Sequence, residues 1–338
     1  MKSRFFKLLF LALGIALFAY VLQQSDITLI LEKSIEIGLL GILLILTIYF
    51  AAFLVDTASW QLSITDINLD FRHLYTLWKI RMIGEAVNAA TPFGTMGGEP
   101  IKAAMLKHSL GIDYNQGIAS LILARTVNLI GLNVFLFVGF IMIALSDAFP
   151  DGFKLATGGA LGAFAVAIGG FFLVQKYEAT SRFGARLARF RFGRPLLKPL
   201  DYLRTIESHL VLFYSGEDRR FSRATGLAML NWMIGTIEVY AILMLLGAPV
   251  TIWEAWILES AVQLTRTATF FIPLSLGTQE AALFMISSAI TGNGSVGLAI
   301  SIIKRLRELV WIAWGFAIGW RTPLRSTVET VPSGSRRS

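Results

Sequence analysis

Long apolar runs separated by short charged segments dominate this chain, in place of the core-and-surface alternation of a water-soluble fold. Uninterrupted runs predict helices at about Phe5–Gln24, Ile37–Leu62, Gly117–Leu145, Leu155–Gln175, Arg223–Gly247 and Val296–Trp320. At ~1.5 Å per residue, each is long enough to cross the ~30 Å hydrocarbon layer of a bilayer. Two further apolar stretches, Leu74–Gly111 and Trp253–Ile290, are broken at Pro92 and Pro273 and predict helical hairpins, either re-entrant or spanning as short pairs. The expected fold is an all-α polytopic membrane protein with six spanning helices and two Pro/Gly-broken hairpins.

Composition agrees with this pattern. Hydrophobic residues make up 55% of the chain and charged residues 15%, with a mean hydropathy of +0.65. The run Phe5–Gln24 follows Lys2, Arg4 and Lys7 as a signal peptide would, but no small-x-small cleavage site follows it, and it is read as a retained span. The absence of cysteine excludes disulfides, thiolate metal sites and cysteine nucleophiles. His73, His108 and His209 are scattered, and no cofactor is expected.

The net charge of +8 does not point to nucleic acid. The excess lies mainly in Lys176–Arg223, with 11 Lys/Arg against 5 Asp/Glu, and in the two tails. Basic loops beside apolar spans mark the cytoplasmic side. On that rule both termini and the loop 176–223 lie inside, while Ser25–Glu36, Ser146–Gly152 and Ala248–Glu254 lie outside. The first hairpin, with Arg72, Lys79, Arg81, Lys102 and Lys107, enters from inside, and the second enters from outside. Residues 322–338 are Ser/Arg-rich and predict a disordered cytoplasmic tail.

Orientation and spacing together divide the chain into a unit at 1–153 with its broken hairpin at 74–111, and a second unit at 154–321 with its hairpin at 253–290. An offset of 181 residues superposes Pro92 on Pro273 and Glu99 on Glu280. The same offset brings Arg125 within one residue of Arg305 and Asp56 within one of Glu238. The second unit is therefore expected to be an inverted copy of the first.

The repeat also marks the candidate site. A proline after a helix leaves carbonyls without amide donors, and glycines let the chain reverse where a side chain would clash. Hydrocarbon satisfies neither, so Thr91–Gly98, including Pro92 and Gly98, and the segment from Pro273 through Gly277 to Thr278 are expected to line an enclosed polar site. Glu99 and Glu280 open the second arms, where the helix dipole favours a carboxylate, and capping is their plainest role. Carboxylates in a membrane are also costly and are usually paired. Arg125 and Arg305 are the expected partners, with Lys102, Arg266, Lys304 and Arg307 nearby. Around the second break Arg266, Lys304, Arg305 and Arg307 face Glu259, Glu280 and Glu308, which leaves one surplus cation suited to a phosphate or other anionic headgroup. Asn88, Asn128, Gln263, Thr265, Thr267 and Thr269 add hydrogen-bonding capacity. No Walker A motif, Rossmann fingerprint, metal-binding histidine pair or nucleophile elbow occurs, so transport would be passive, ion-coupled or driven by a partner.

The segment Gly84-Glu-Ala-Val-Asn-Ala-Ala-Thr-Pro-Phe-Gly-Thr-Met-Gly-Gly-Glu-Pro-Ile-Lys, its echo Ile272-Pro-Leu-Ser-Leu-Gly-Thr-Gln-Glu-Ala-Ala and the run Lys304-Arg-Leu-Arg-Glu-Leu resemble the lysylphosphatidylglycerol synthase transmembrane region, also called the flippase-like domain family. The resemblance covers roughly Phe5 to Trp320. Bifunctional members add a soluble aminoacyltransferase domain that charges phosphatidylglycerol with lysine or alanine, and their membrane region is taken to move the product between leaflets. That soluble domain is absent from this sequence, so the resemblance implies lipid translocation or binding and argues against the synthase reaction. Stand-alone members are linked to glycolipid, polyprenyl-linked and hopanoid pathways. The second break reads Pro-Leu-Ser-Leu-Gly where many members have a glycine-richer turn. The expectation is a lipid flippase of the bacterial cytoplasmic membrane, with membrane lipids and a separate lipid-modifying enzyme as partners. The alternatives are a membrane-embedded enzyme subunit, with Glu99 or Glu280 as general base, and a lipid-binding partner that transports nothing.

Overall fold

A computed structural model describes residues 27–65, 67–90, 97–177, 208, 211, 213, 219–269 and 277–321. The expected span at Phe5–Gln24, most of the basic loop 176–223, the tail 322–338 and both break prolines, Pro92 and Pro273, lie outside the described residues.

Every element within the described residues is helical. These are α1 (Ile27–Leu62), α2 (Phe71–Ala90), α3 (Glu99–Leu110), α4 (Tyr114–Leu145), α5 (Asp151–Lys176), α6 (Arg220–Leu245), α7 (Ile252–Ala268), α8 (Thr278–Thr291) and α9 (Gly294–Arg321). Their ends coincide with polar punctuation in the sequence. The Asp113 side chain accepts the Asn115 N–H at the start of α4. Thr251 and Glu254 form a reciprocal capping box at α7, and left-handed glycines, Gly111 and Gly292, close α3 and α8. At α2, the Asp70 carboxylate accepts the His73 N–H at 2.8 Å. Gly38 interrupts α1 with non-helical angles, three residues into its apolar span Ile35–Leu62.

Four helices among the described residues are long and apolar enough to cross a membrane: Ile35–Leu62, Tyr114–Leu145, Asp151–Gln175 and Arg220–Leu245. The expected span at Val296–Trp320 corresponds to α9, which is 28 residues long but carries Lys304, Arg305, Arg307 and Glu308 within three turns. Lys304, Arg305 and Arg307 are buried against protein, the setting in which charge within an apolar helix is tolerated.

The helices pack in a closed pattern. α1 lies against α6; α2 against α9 and α7 against α4; α4 against α6 and α9 against α1. Each hairpin packs arm on arm, α2 on α3 and α7 on α8, and its second arm packs on the helix that follows, α3 on α4 and α8 on α9. The remaining principal contacts are α1 with α2, α6 with α7, α1 with α4, α6 with α9, and α4 with α5. Exchanging α1 with α6, α2 with α7, α3 with α8 and α4 with α9 maps this set onto itself, apart from the α4–α5 pair. Apolar packing fills the interfaces. Trp256 of α7 stacks on Phe135 of α4 at 4.8 Å between ring centroids, and its indole N–H donates to the Phe135 carbonyl at 3.2 Å. Tyr49 of α1 meets Trp311 of α9 edge-on at 4.8 Å.

Candidate functional site

At the first break, the arms are tied by Asn88, near the end of α2. Its Oδ1 accepts the Gly98 N–H at 2.6 Å, while Nδ2 donates to Glu85 Oε2 at 3.2 Å and to Glu99 Oε1 at 3.4 Å. A buried amide thus satisfies a backbone donor that the chain reversal leaves without a helical partner. Gly98 has to be glycine, since a Cβ there would lie 2.1 Å from the Gly84 carbonyl oxygen. Lys102, one turn into α3, reaches Glu85 Oε1 at 2.6 Å and Glu99 Oε1 at 2.9 Å. Glu99 therefore takes Lys102 as its ion-pair partner where sequence reasoning assigned Arg125. Arg125 lies in α4 and is exposed. Deeper between the helices, Asp56 of α1 pairs with Arg81 of α2 and accepts a hydrogen bond from Asn128 Nδ2 of α4 at 3.3 Å.

The second break is tied differently. Thr269, just past the end of α7, and Thr278, the first residue of α8, place their hydroxyl oxygens 3.1 Å apart. Gly277 adopts a positive φ of 80°, and its N–H donates to Glu280 Oε2 at 2.8 Å. The other oxygen of Glu280 accepts Arg305 Nη2 at 2.8 Å and the Ser301 hydroxyl at 3.0 Å. Arg305 also donates to Glu308 Oε2 at 2.9 Å, and Arg266 of α7 donates to Glu308 Oε1 at 3.1 Å. Below this rim, Lys304 pairs with Glu259, which is further held by Gln263 Nε2 at 2.7 Å. Arg307 binds both oxygens of Glu238 on α6, and its guanidinium lies 3.8 Å from the centroid of the Tyr49 ring.

The pairing with Glu238 overturns one expectation. Four carboxylates, Glu238, Glu259, Glu280 and Glu308, meet four cations, Arg266, Lys304, Arg305 and Arg307, so the network is balanced and the surplus cation does not exist. Sequence reasoning had aligned Glu238 with Asp56 through the 181-residue offset without bringing it to this network. Asp56, Arg81 and Glu85 were likewise not named as site residues, and Lys102 was noted only as a cation near Glu99 in sequence. Their only signal was the rarity of charge inside apolar helices.

Both breaks share one arrangement. A carboxylate at the start of the second arm is about a third exposed, Glu99 at 29% and Glu280 at 30%, and rests on a buried cation, Lys102 at 6% and Arg305 at 4%. Among the described residues no group of three or more His, Cys, Asp or Glu side chains could hold a metal ion.

Comparison with known proteins matches residues 5–315 to the family described as Lysylphosphatidylglycerol synthase TM region. The chain is also similar to a UPF0104 membrane protein of Methanothermobacter thermautotrophicus, with 22% identity over 284 residues, 78% of this chain and 80% of that protein. No solved structure matches.

Proposed function

The chain belongs to the Lysylphosphatidylglycerol synthase TM region family, and from that premise we propose that it is an integral lipid translocase of the cytoplasmic membrane. It moves an anionic or modified phospholipid, a glycolipid or a polyprenyl-linked lipid between leaflets, with both termini on the cytoplasmic side. Its two units, 1–153 and 154–321, are inverted copies, and the broken hairpins meet near the bilayer midplane. One observation carries this reading. The principal helix contacts of one unit are repeated in the other, and in each unit a rim carboxylate rests on a buried cation at the break.

The headgroup passes between the breaks while the acyl chains stay in lipid. Arg305, Arg266 and Arg125 supply the cationic contacts, and the backbone around Pro92, Gly98, Pro273 and Gly277 supplies amides. Because the second set of ion pairs is balanced, an anionic headgroup is accepted by replacing Glu280 on Arg305. Glu99 on Lys102, with Asn88 behind it, repeats the exchange in the other unit. A separate enzyme supplies or consumes the lipid, and this chain carries out no covalent step.

The test is leaflet exchange of labelled anionic and zwitterionic lipids in vesicles containing the purified protein. Exchange by the wild type that is lost in Glu280→Gln and Arg305→Ala, with both variants folded, supports the proposal. Binding without exchange, or chemical alteration of a lipid-linked substrate, refutes it and leaves a lipid-binding partner or an enzyme subunit.

A further inference from the structure

Exchange of the two units leaves α5 unmatched, and its seat on α4 is well defined. Leu132 and Leu136 of α4 share one apolar core with Leu161 of α5, joined by Leu129 and Phe140 of α4 and Phe164 of α5. Gly158 of α5 admits the Phe140 ring, since a Cβ there would lie 2.8 Å from it, and the Thr126 hydroxyl reaches Gln175 Oε1 at 3.2 Å. In chain order α5 precedes α6. The apolar run Phe5–Gln24, outside the described residues, stands in the same order before α1, the helix that is exchanged with α6.

The seat itself is repeated on α9. A displacement of 180 residues, which matches Arg125 to Arg305, puts Leu129, Leu132, Leu136 and Phe140 on Leu309, Ile312, Phe316 and Trp320. Packing supports this register to within one residue. Asp56 of α1 meets Asn128 of α4 as Glu238 of α6 meets Arg307 of α9. Trp256 of α7 likewise meets Phe135 of α4 as Trp78 of α2 meets Trp314 of α9, at 4.8 and 5.5 Å between ring centroids. Leu309 and Ile312 are buried, at 6% and 8% exposure. The apolar clusters of the described residues nevertheless take in Trp311 and Ile318 from this part of α9 and leave out both. A buried helix face that joins none of those clusters takes its cover from elsewhere in the chain.

We infer that Phe5–Gln24 is that cover, lying on the α9 face formed by Leu309, Ile312 and Phe316 as α5 lies on α4. As a helix the run spans ~30 Å, the depth of the hydrocarbon layer. Two residues separate its end from Ile27, so it is tethered to the start of α1, which itself packs on α9. Ala12, Ala16 and Ala19 recur at spacings of four and three. They give one helix face small enough to admit Phe316, as Gly158 admits Phe140. The run is thus an integral part of the first unit, and its removal as a leader would uncover a buried face of α9. The inference rests on the repeated helix contacts and holds whether or not the protein moves lipid.

The test is oxidative cross-linking of the full-length chain, which has no native cysteine, in its membrane. A protease site inserted in the loop 176–223 lets a disulfide be read as two cleaved halves that stay joined on a non-reducing gel. Ile312→Cys is paired in turn with Ala12→Cys, Ala16→Cys and Ala19→Cys. Val310→Cys, on the opposite side of α9 and 36% exposed, takes the place of Ile312→Cys in three control pairs. Joined halves are expected in the Ile312→Cys set and not in the Val310→Cys set, and Leu309→Cys gives the same readout if Ile312→Cys does not fold. Absence of joined halves from every pair, or equal joining through Val310→Cys, overturns the inference and leaves the face to lipid. Joining of two whole chains in place of two halves also overturns it and assigns the face to a second copy. So does an intact mass showing that the membrane-inserted chain begins after Gln24.

Discussion

The two hairpins follow one plan but differ in how they are wired. In the second, Glu308 joins Arg266, Arg305 and Arg307, which also hold Glu280 and Glu238, while Lys304–Glu259 stands as a separate pair, and Lys304, Glu259, Arg307 and Glu238 are almost fully buried. In the first, Asp56–Arg81 and Glu85–Lys102–Glu99 are separate groups, and Glu85 and Glu99 face outward. The offset of 181 residues even reverses a charge, since Glu85 corresponds to Arg266. The principal helix contacts are therefore repeated and the electrostatics are not. The deeply buried second network is the stiffer element, and the first, with its exposed acids, is the looser one.

The largest expected effect tests that difference directly. Lys304→Ala strands Glu259 in the interior and should cost about 3–5 kcal/mol, read as the loss of unfolding free energy in lipid nanodiscs. Lys102→Ala should cost clearly less, because both of its carboxylates reach the surface. A Glu259→Met/Lys304→Met double variant should recover most of the loss, since a well-packed apolar pair avoids the desolvation that the ion pair bears.

Next comes the tie across each break. Asn88→Ala removes the acceptor of the buried Gly98 N–H and should destabilise by about 1–3 kcal/mol. Thr269→Val at the corresponding position breaks one hydroxyl contact and should cost about 0.5–1.5 kcal/mol. Equal losses would mean that the two breaks are held equally.

Glu280→Gln and Glu99→Gln should each change stability by less than ~1 kcal/mol, because both acids are partly solvated. Their effect should fall on lipid movement. A large stability loss with unchanged exchange would make them simple helix caps.

The smallest effect is a pH dependence at α2. The His73 backbone N–H holds the Asp70 carboxyl below its ordinary value of 3.8. A depressed folded-state pKa stabilises above the unfolded value, and that contribution is lost as pH falls through the folded one. The stability difference between wild type and Asp70→Asn should therefore shrink from about pH 6 to about pH 3. A difference that stays constant would contradict the capping role.

Helix limits were legible in the sequence because a bilayer demands long apolar runs. The expected Gly117–Leu145 and Leu155–Gln175 correspond to α4 and α5 within a few residues. The candidate site was legible only as residue types: Asn88, Gly98 and Glu99 meet at the first break, and Gly277, Glu280 and Arg305 at the second. Its wiring was not. Lys304 and Glu259 are 45 positions apart, and Arg307 and Glu238 69 apart, so their pairing depends on helix rotation and crossing, which an all-apolar pattern leaves unspecified. Lys102 one turn after Glu99 has the spacing of an ordinary surface pair, and this hid it behind the more conspicuous Arg125. Glu238 was matched to Asp56 by the 181-residue offset, and its pairing with Arg307 follows from the packing of α6 against α9.

The most direct test of the inverted relation between the two units uses the lack of native cysteine. Lys107→Cys in the last turn of α3 and Ser295→Cys at the start of α9 both place a thiol at an exposed position. Each is probed with a membrane-impermeant maleimide in sealed right-side-out and inverted vesicles. Inverted units require Lys107→Cys to be labelled from the cytoplasmic side and Ser295→Cys from the opposite side. Labelling of both from the same side would contradict the account.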